Sequence, residues 1–190
     1  MRLIFALLLI CLLQTEEPQR HQFDLEAALR DETALQKRKI RYMPPCHESC
    51  QAFFAYGDGS LIWQAVPNRP MGPHLVPTCR NRVSMDTVKN LVRLIAEKHF
   101  LDLPERQFVI LYIGQEREEL EFHTISIDDG VATATRTFAA GRYAGKRELI
   151  PPDFLSIEKE LQRLKESAFP HSKVTCNFAP AIVRRTDVAT

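Results

Sequence analysis

The chain is short of the features that announce an activity. It holds seven glycines in 190 residues, and none builds a phosphate-cradling loop: Gly57-Asp58-Gly59 is a hairpin turn with no helix after it. Lys plus Arg and Asp plus Glu nearly cancel, leaving a formal charge of +1. That balance excludes the basic footprint a nucleic-acid binder needs. A Gly-x-Ser-x-Gly nucleophile turn is missing, as are HExxH and any His pair at i, i+4. Asp128-Asp129-Gly130 lacks the spaced ligands and closing Glu of a calcium loop. The carboxylates Glu118, Glu119 and Glu121 lie in a charged stretch that solvation explains. No internal repeat, low-complexity tract or second long apolar run follows the first thirteen residues. No catalytic residue is assigned, the enzyme reading is disfavoured, and no cofactor is implied.

What is present begins with Met1-Arg2 and an apolar run from Leu3 to Leu13. Its eleven residues are too few for a bilayer-crossing helix, which takes ~20, and suit a signal-peptide core. Residues 1–15 are read as a leader, removed on export to a secreted or periplasmic location. A lipid-anchored or membrane-tethered form is the alternative, raised by Cys11, although the bulky Ile10 before it disfavours acylation. The remaining chain suffices for one domain with its own core. Residues 16–39 read as a spacer with a weak helix, 40–168 as a single α+β domain, and 169–190 as a tail. The expected partner is an unknown protein or envelope component, with no nucleic acid and no membrane span after leader cleavage.

Within 16–39, Leu25, Ala28, Leu29 and Leu35 mark one helical face between Asp24 and the basic end Lys37-Arg38-Lys39, a helix expected to dock loosely. Ile40–Met43 reads as a strand stopped by Pro44-Pro45. Two strands flank Gly57-Asp58-Gly59, a strong turn signal. Ser84 to Phe100 carries Val88, Leu91, Val92 and Ile95 at i, i+3, i+4 and i+7, an amphipathic helix with His99 at its C-terminal end, where a cation is favoured. Phe108–Ile113 reads as a strand. Glu119–Ile127 and Val131–Phe138 read as a second hairpin, with a bulge at His123-Thr124 explaining a slip in apolar phase. Pro151-Pro152 opens a last helix with Phe154, Ile157, Leu161 and Leu164 as its stripe. This order predicts an α+β fold, a mainly antiparallel sheet with helices packed on one face.

Cys46-x3-Cys50, Phe53 in the following strand, the Asp58-Gly59 turn, the Ser84–Phe100 helix and the Pro151–Ser167 helix together resemble an uncharacterised domain family of bacterial secreted proteins and lipoproteins. The resemblance covers residues 40 to 168. Gln51 stands where that family often has Pro, and no Thr-Asp pair accompanies His123. It implies export and no established activity.

Cys46, Cys50, Cys79 and Cys176 are disulfide candidates, with three pairings open if Cys11 leaves with the leader. A second reading gathers Cys46, His47, Cys50 and a distant His123 as copper or zinc ligands. A third is thiol redox chemistry at Cys46 and Cys50, weakened because a strand, not a helix N-terminus, follows the pair. Two surface segments stand out as well: the proline-rich 67–77 loop with Met71, and the basic stretch Arg136, Arg142, Lys146 and Arg147 facing acidic Glu116–Glu121. The expectation is an exported, non-catalytic binding or interaction module, with a metal or thiol protein centred on Cys46, His47 and Cys50 as its rival.

Overall fold

The computed structural model describes residues 23–45, 50–66, 75–108, 112–113, 116–117, 120–141, 150–170 and 176–182. The architecture is α+β. The described strands are β1 (Lys39–Met43), β2 (Gln51–Tyr56), β3 (Ser60–Ala65), β4 (Leu75–Arg82), β5 (Arg106–Phe108), β6 (Tyr112–Ile113), β7 (Glu116–Arg117), β8 (Leu120–Asp128), β9 (Thr133–Gly141) and β10 (Cys176–Pro180). Eight of them form one sheet in the order β10-β4-β3-β2-β1-β8-β9-β5, and β6 and β7 make a separate ribbon. Every pairing in the main sheet is antiparallel except β5 with β9. The expected strand 108–113 is therefore divided between a short parallel edge and the ribbon, and residues 109–111 lie outside the described residues.

The helices α1 (Leu25–Arg30), α2 (Glu32–Gln36), α3 (Met85–Glu97) and α4 (Pro152–Ala168) share one core with one face of the sheet. Ser84 caps α3 by accepting from Thr87 N, and Val88, Leu91, Val92 and Ile95 are buried, as the spacing predicts. They meet Ile40, Tyr42, Phe53, Leu61, Ile125, Ile127 and Phe138 from the sheet and Phe154, Ile157 and Leu161 from α4. Burial of each large side chain contributes about 1.5–3 kcal/mol. The Phe138 and Phe154 rings meet edge-on with centroids 4.6 Å apart.

The packed unit extends past both expected bounds. The helix expected from Asp24 to Lys39 is two short ones, broken where Asp31 turns extended (φ −122°, ψ 120°) and caps α2 by accepting from Thr33 N. Leu25, Ala28 and Leu35 join the core, so this segment is not loosely docked. At the other end β10 joins the sheet from within the expected tail, and its Cys176 is bonded to Cys79, its register partner on β4.

The expected bulge at His123-Thr124 is absent. β8 and β9 pair without interruption from Leu120↔Gly141 to Asp128↔Thr133. The slip in apolar phase arises because His123, not Phe122, shares the helix-facing side with Ile125 and Ile127. His99 likewise departs from its expected place on α3. It sits in left-handed backbone (φ 48°), ends the helix and leads into a 3-10 turn, Phe100–Asp102.

The first hairpin turn is wedged against the helices. Gly57 N donates to Arg38 O at 2.8 Å, and a Cβ on Gly57 would collide with the Leu35 carbonyl. Gly59 adopts φ +89°, where its Cβ would meet Val83 O. Asp58 between them accepts from Ser60 N and Oγ, and the backbone bond to Ser60 leads in holding its carboxyl below the ordinary range.

The opposite face of the sheet carries a smaller apolar cluster of Met43, Ala52, Phe54, Ile62 and Val66, and no described helix contributes to it. Beside that cluster, toward the turn ends of the hairpins, the same face becomes polar.

Candidate functional site

Cys46 and His47 lie outside the described residues. Cys50 is disulfide-bonded, and its carbonyl accepts from Val66 N at 2.8 Å. A Cys50 sulfur in that state is neither a nucleophile nor a thiolate ligand. Among the described residues, no three His, Cys, Asp or Glu side chains gather as a metal cage. Met71, Arg142, Lys146, Arg147, Glu118 and Glu119 also lie outside the described residues.

His123 belongs to a buried polar network. β8 places it diagonal to Tyr42 on β1, since Tyr42 pairs with Ile125 two residues along. From the helix side, Glu158 and Gln162 are one turn apart on α4. Glu158 Oε1 lies 2.7 Å from His123 Nδ1 and accepts from the Tyr42 hydroxyl at 2.9 Å. Gln162 Nε2 in turn donates to the Tyr42 oxygen at 3.0 Å. One carboxylate oxygen thus joins the Tyr42 hydroxyl and the Nδ1 edge of the His123 ring. The His123 and Glu158 side chains are 1% and 5% exposed, and none of the described cavities reaches them. In an accessible cleft this trio would suit acid–base work. Here it bolts α4 to the sheet.

Two buried arginines have similar structural work. Arg38, in the basic end expected to serve a helix pole, is buried: Nη1 lies 3.2 Å from Asp129 Oδ2, and Nη2 donates to Asp24 O. The Nη1–Asp129 contact is an ion pair without an aligned hydrogen bond. Arg136, expected in a solvated basic stretch, is also buried. Its guanidinium donates to Phe100 O, Leu101 O and Thr135 O, which closes the carbonyl end of the 3-10 turn. Burial pulls its pKa below the ordinary guanidinium value, and nearby Glu105 and Asp102 oppose that shift.

The polar part of the opposite face differs. Lys39 sits between Tyr56 and Asp128, and Asp128 pairs with Thr133. One row along, Arg41 sits between Phe54 and Ser126, and Ser126 pairs with Thr135. Lys39, Arg41, Ser126, Asp128 and Thr133 line a cavity of about 290 Å³. Arg41 Nη2 and Thr135 Oγ1 both donate to Ser126 Oγ at 3.0 Å. Asp128 accepts from Gly130 N and from Thr133 Oγ1. Lys39 faces Asp128 in register, yet its Nζ lies over the Phe54 ring, 5.5 Å from the centroid. A larger cleft of about 720 Å³ runs between Phe23, Leu101, Glu105 and Arg106 on one side and Ala132–Arg136 on the other.

The sequence reading passed over Tyr42, Glu158 and the Lys39–Arg41–Ser126 group. Glu158 carried a signal: it falls four residues after Phe154 and three before Leu161, inside the apolar stripe of α4. The surface group carried none, because Lys39 and Ser126 are 87 positions apart and only strand pairing unites them.

No family model matches the chain, and no curated protein matches it either.

Proposed function

We propose that this protein is an exported, non-catalytic binding module that presents the polar end of its sheet to a partner or ligand of the cell envelope or extracellular space. The observation that carries this reading is a division of polar groups. The constellation best suited to catalysis, Tyr42, His123 and Glu158, is sealed in the core, whereas donors at the surface surround an open cavity. Export is supported by the Cys79–Cys176 bond, since oxidising compartments make and keep such bonds, and by the leader-like first thirteen residues. No described helix is long and apolar enough to cross a membrane.

The test is the intact mass of the protein purified from the exported fraction, with and without thiol alkylation under denaturing, non-reducing conditions, alongside metal analysis. The expected result is no alkylation at Cys46, Cys50, Cys79 or Cys176 and no stoichiometric metal. Free thiols at Cys46 and Cys50, or one equivalent of copper or zinc lost in Cys50→Ser, would overturn the reading in favour of a metal or thiol protein. Recovery only from the cytosol would remove the export part.

A further inference from the structure

The cavity on the polar end of the sheet has a chemistry that narrows its ligand. One wall is cationic: the Lys39 ammonium over Phe54, and the Arg41 guanidinium held by Ser126. Ser126 is 3% exposed, and its oxygen already accepts two hydrogen bonds, from Arg41 and Thr135. A hydroxyl has one proton and two lone pairs, so only the proton remains to be given. An acceptor in the cavity completes that group, and an anionic acceptor completes it best beside two cations.

The other wall is different in kind. Asp128 and Thr133 bring a carboxylate and a hydroxyl, joined to each other at 3.1 Å. A bare anion meets repulsion from Asp128, and a bare cation meets it from Lys39 and Arg41. The set suits a ligand with both an oxyanion and hydroxyl groups, the hydroxyls donating to Asp128. About 290 Å³ falls just under the range for small-molecule sites, roughly 300–1,000 Å³. That is ample for one sugar-sized ring and small for anything much longer.

We infer that this cavity binds a small hydroxylated oxyanion, of the chemical class of a sugar acid or sugar phosphate, through Lys39, Arg41 and Ser126 on the anion and Asp128 on the hydroxyls. The inference rests on the binding-module reading and names its ligand class. The rigid frame supports it: the four ladder positions Lys39, Arg41, Ser126 and Asp128 come from paired central strands, so little ordering accompanies binding. Added salt weakens the interaction, because the cations are only partly buried.

The test is isothermal titration of the full exported chain with glucuronate and with glucose 6-phosphate, using glucose, acetate and inorganic phosphate as controls. The expected result is saturable binding of at least one hydroxylated oxyanion, at least tenfold tighter than any control. A preference between the two separates a carboxylate from a phosphate ligand. Lys39→Met weakens binding at least tenfold with an unchanged melting temperature. Asp128→Asn narrows the margin over acetate and phosphate by a similar factor. Absence of saturation with both ligands, glucose binding as well as glucuronate, or a Lys39→Met variant binding like the parent would each overturn the inference. A chain that shows no free thiols and no metal but binds neither probe loses this inference and keeps the broader reading. Free thiols or bound metal remove the broader reading whatever the titration shows.

Discussion

The two faces of the sheet treat polar side chains in opposite ways. On the helix-covered face, Tyr42, His123 and Glu158 satisfy one another and Arg136 is spent on carbonyls. On the other face, Lys39, Arg41, Ser126 and Asp128 line a cavity at the polar end of the sheet. Composition alone does not separate the two sets, since each holds a cation, a carboxylate and a hydroxyl. Access does. A buried group without a partner costs about 1–3 kcal/mol, so a core network must close on itself, whereas a surface group can leave its last bond to a ligand. The histidine most suggestive of function by residue type is accordingly structural, and the lysine and serine that seemed ordinary surround the opening.

Mutagenesis can break this comparison or sharpen it. The largest loss is expected at the rim of the helix-covered face, where Cys79 lies in the core cluster and is bonded to Cys176 across 97 residues. Replacing both by Ser costs about 4.7 kcal/mol by loop-closure entropy, read from urea unfolding of the oxidised parent against the variant. Next comes Glu158→Ala, at about 3 kcal/mol, because Tyr42 and His123 lose their shared acceptor in a dry core. Glu158→Gln retains one acceptor oxygen and loses less; a loss equal to that of Glu158→Ala would assign the effect to the carboxylate charge, and no loss at all would show that the charge has no part. Gly57→Ala follows, at about 2 kcal/mol, as the turn is pushed off the Leu35 carbonyl. Thermal melts of this variant should show the hairpin loosened with no loss at the cavity. Smallest for stability is Lys39→Met, under about 0.5 kcal/mol, since it removes a partly exposed cation whose stem stays packed. If Lys39→Met destabilised as much as Glu158→Ala, the two faces would not differ as described.

The fold was legible where one period governed one element. Val88, Leu91, Val92 and Ile95 announced α3, and Gly57-Asp58-Gly59 announced the first hairpin, because a helix face and a tight turn are local. The break at Asp31 was also local, yet Asp31 reads equally as a solvated helix residue until its side chain is seen capping α2. The bulge at His123 failed for a different reason. A phase count treats histidine as outward and phenylalanine as inward, and it has no means of knowing that Glu158, 35 residues on, offers the imidazole a partner inside. Arg38 and Arg136 were misplaced by the same rule, their partners being backbone carbonyls and a distant carboxylate. The cysteines showed how far counting goes: three pairings were open, and strand register brought Cys79 opposite Cys176. The cavity was the least legible part. Lys39, Arg41, Ser126 and Asp128 acquire meaning only from the β1–β8 ladder, a contact between chain segments that no local pattern relates.

The Cys79–Cys176 bond also decides what a protease can accomplish. Between those residues run α3, the β8–β9 hairpin and α4, most of the second half of the molecule. A single cut at any peptide bond in that span leaves two fragments that remain one covalent molecule, with β10 still seated beside β4. Such a nicked chain would migrate as one band without reductant and as two with it. One staple across 97 residues lets the molecule be damaged in sequence while it stays whole in space.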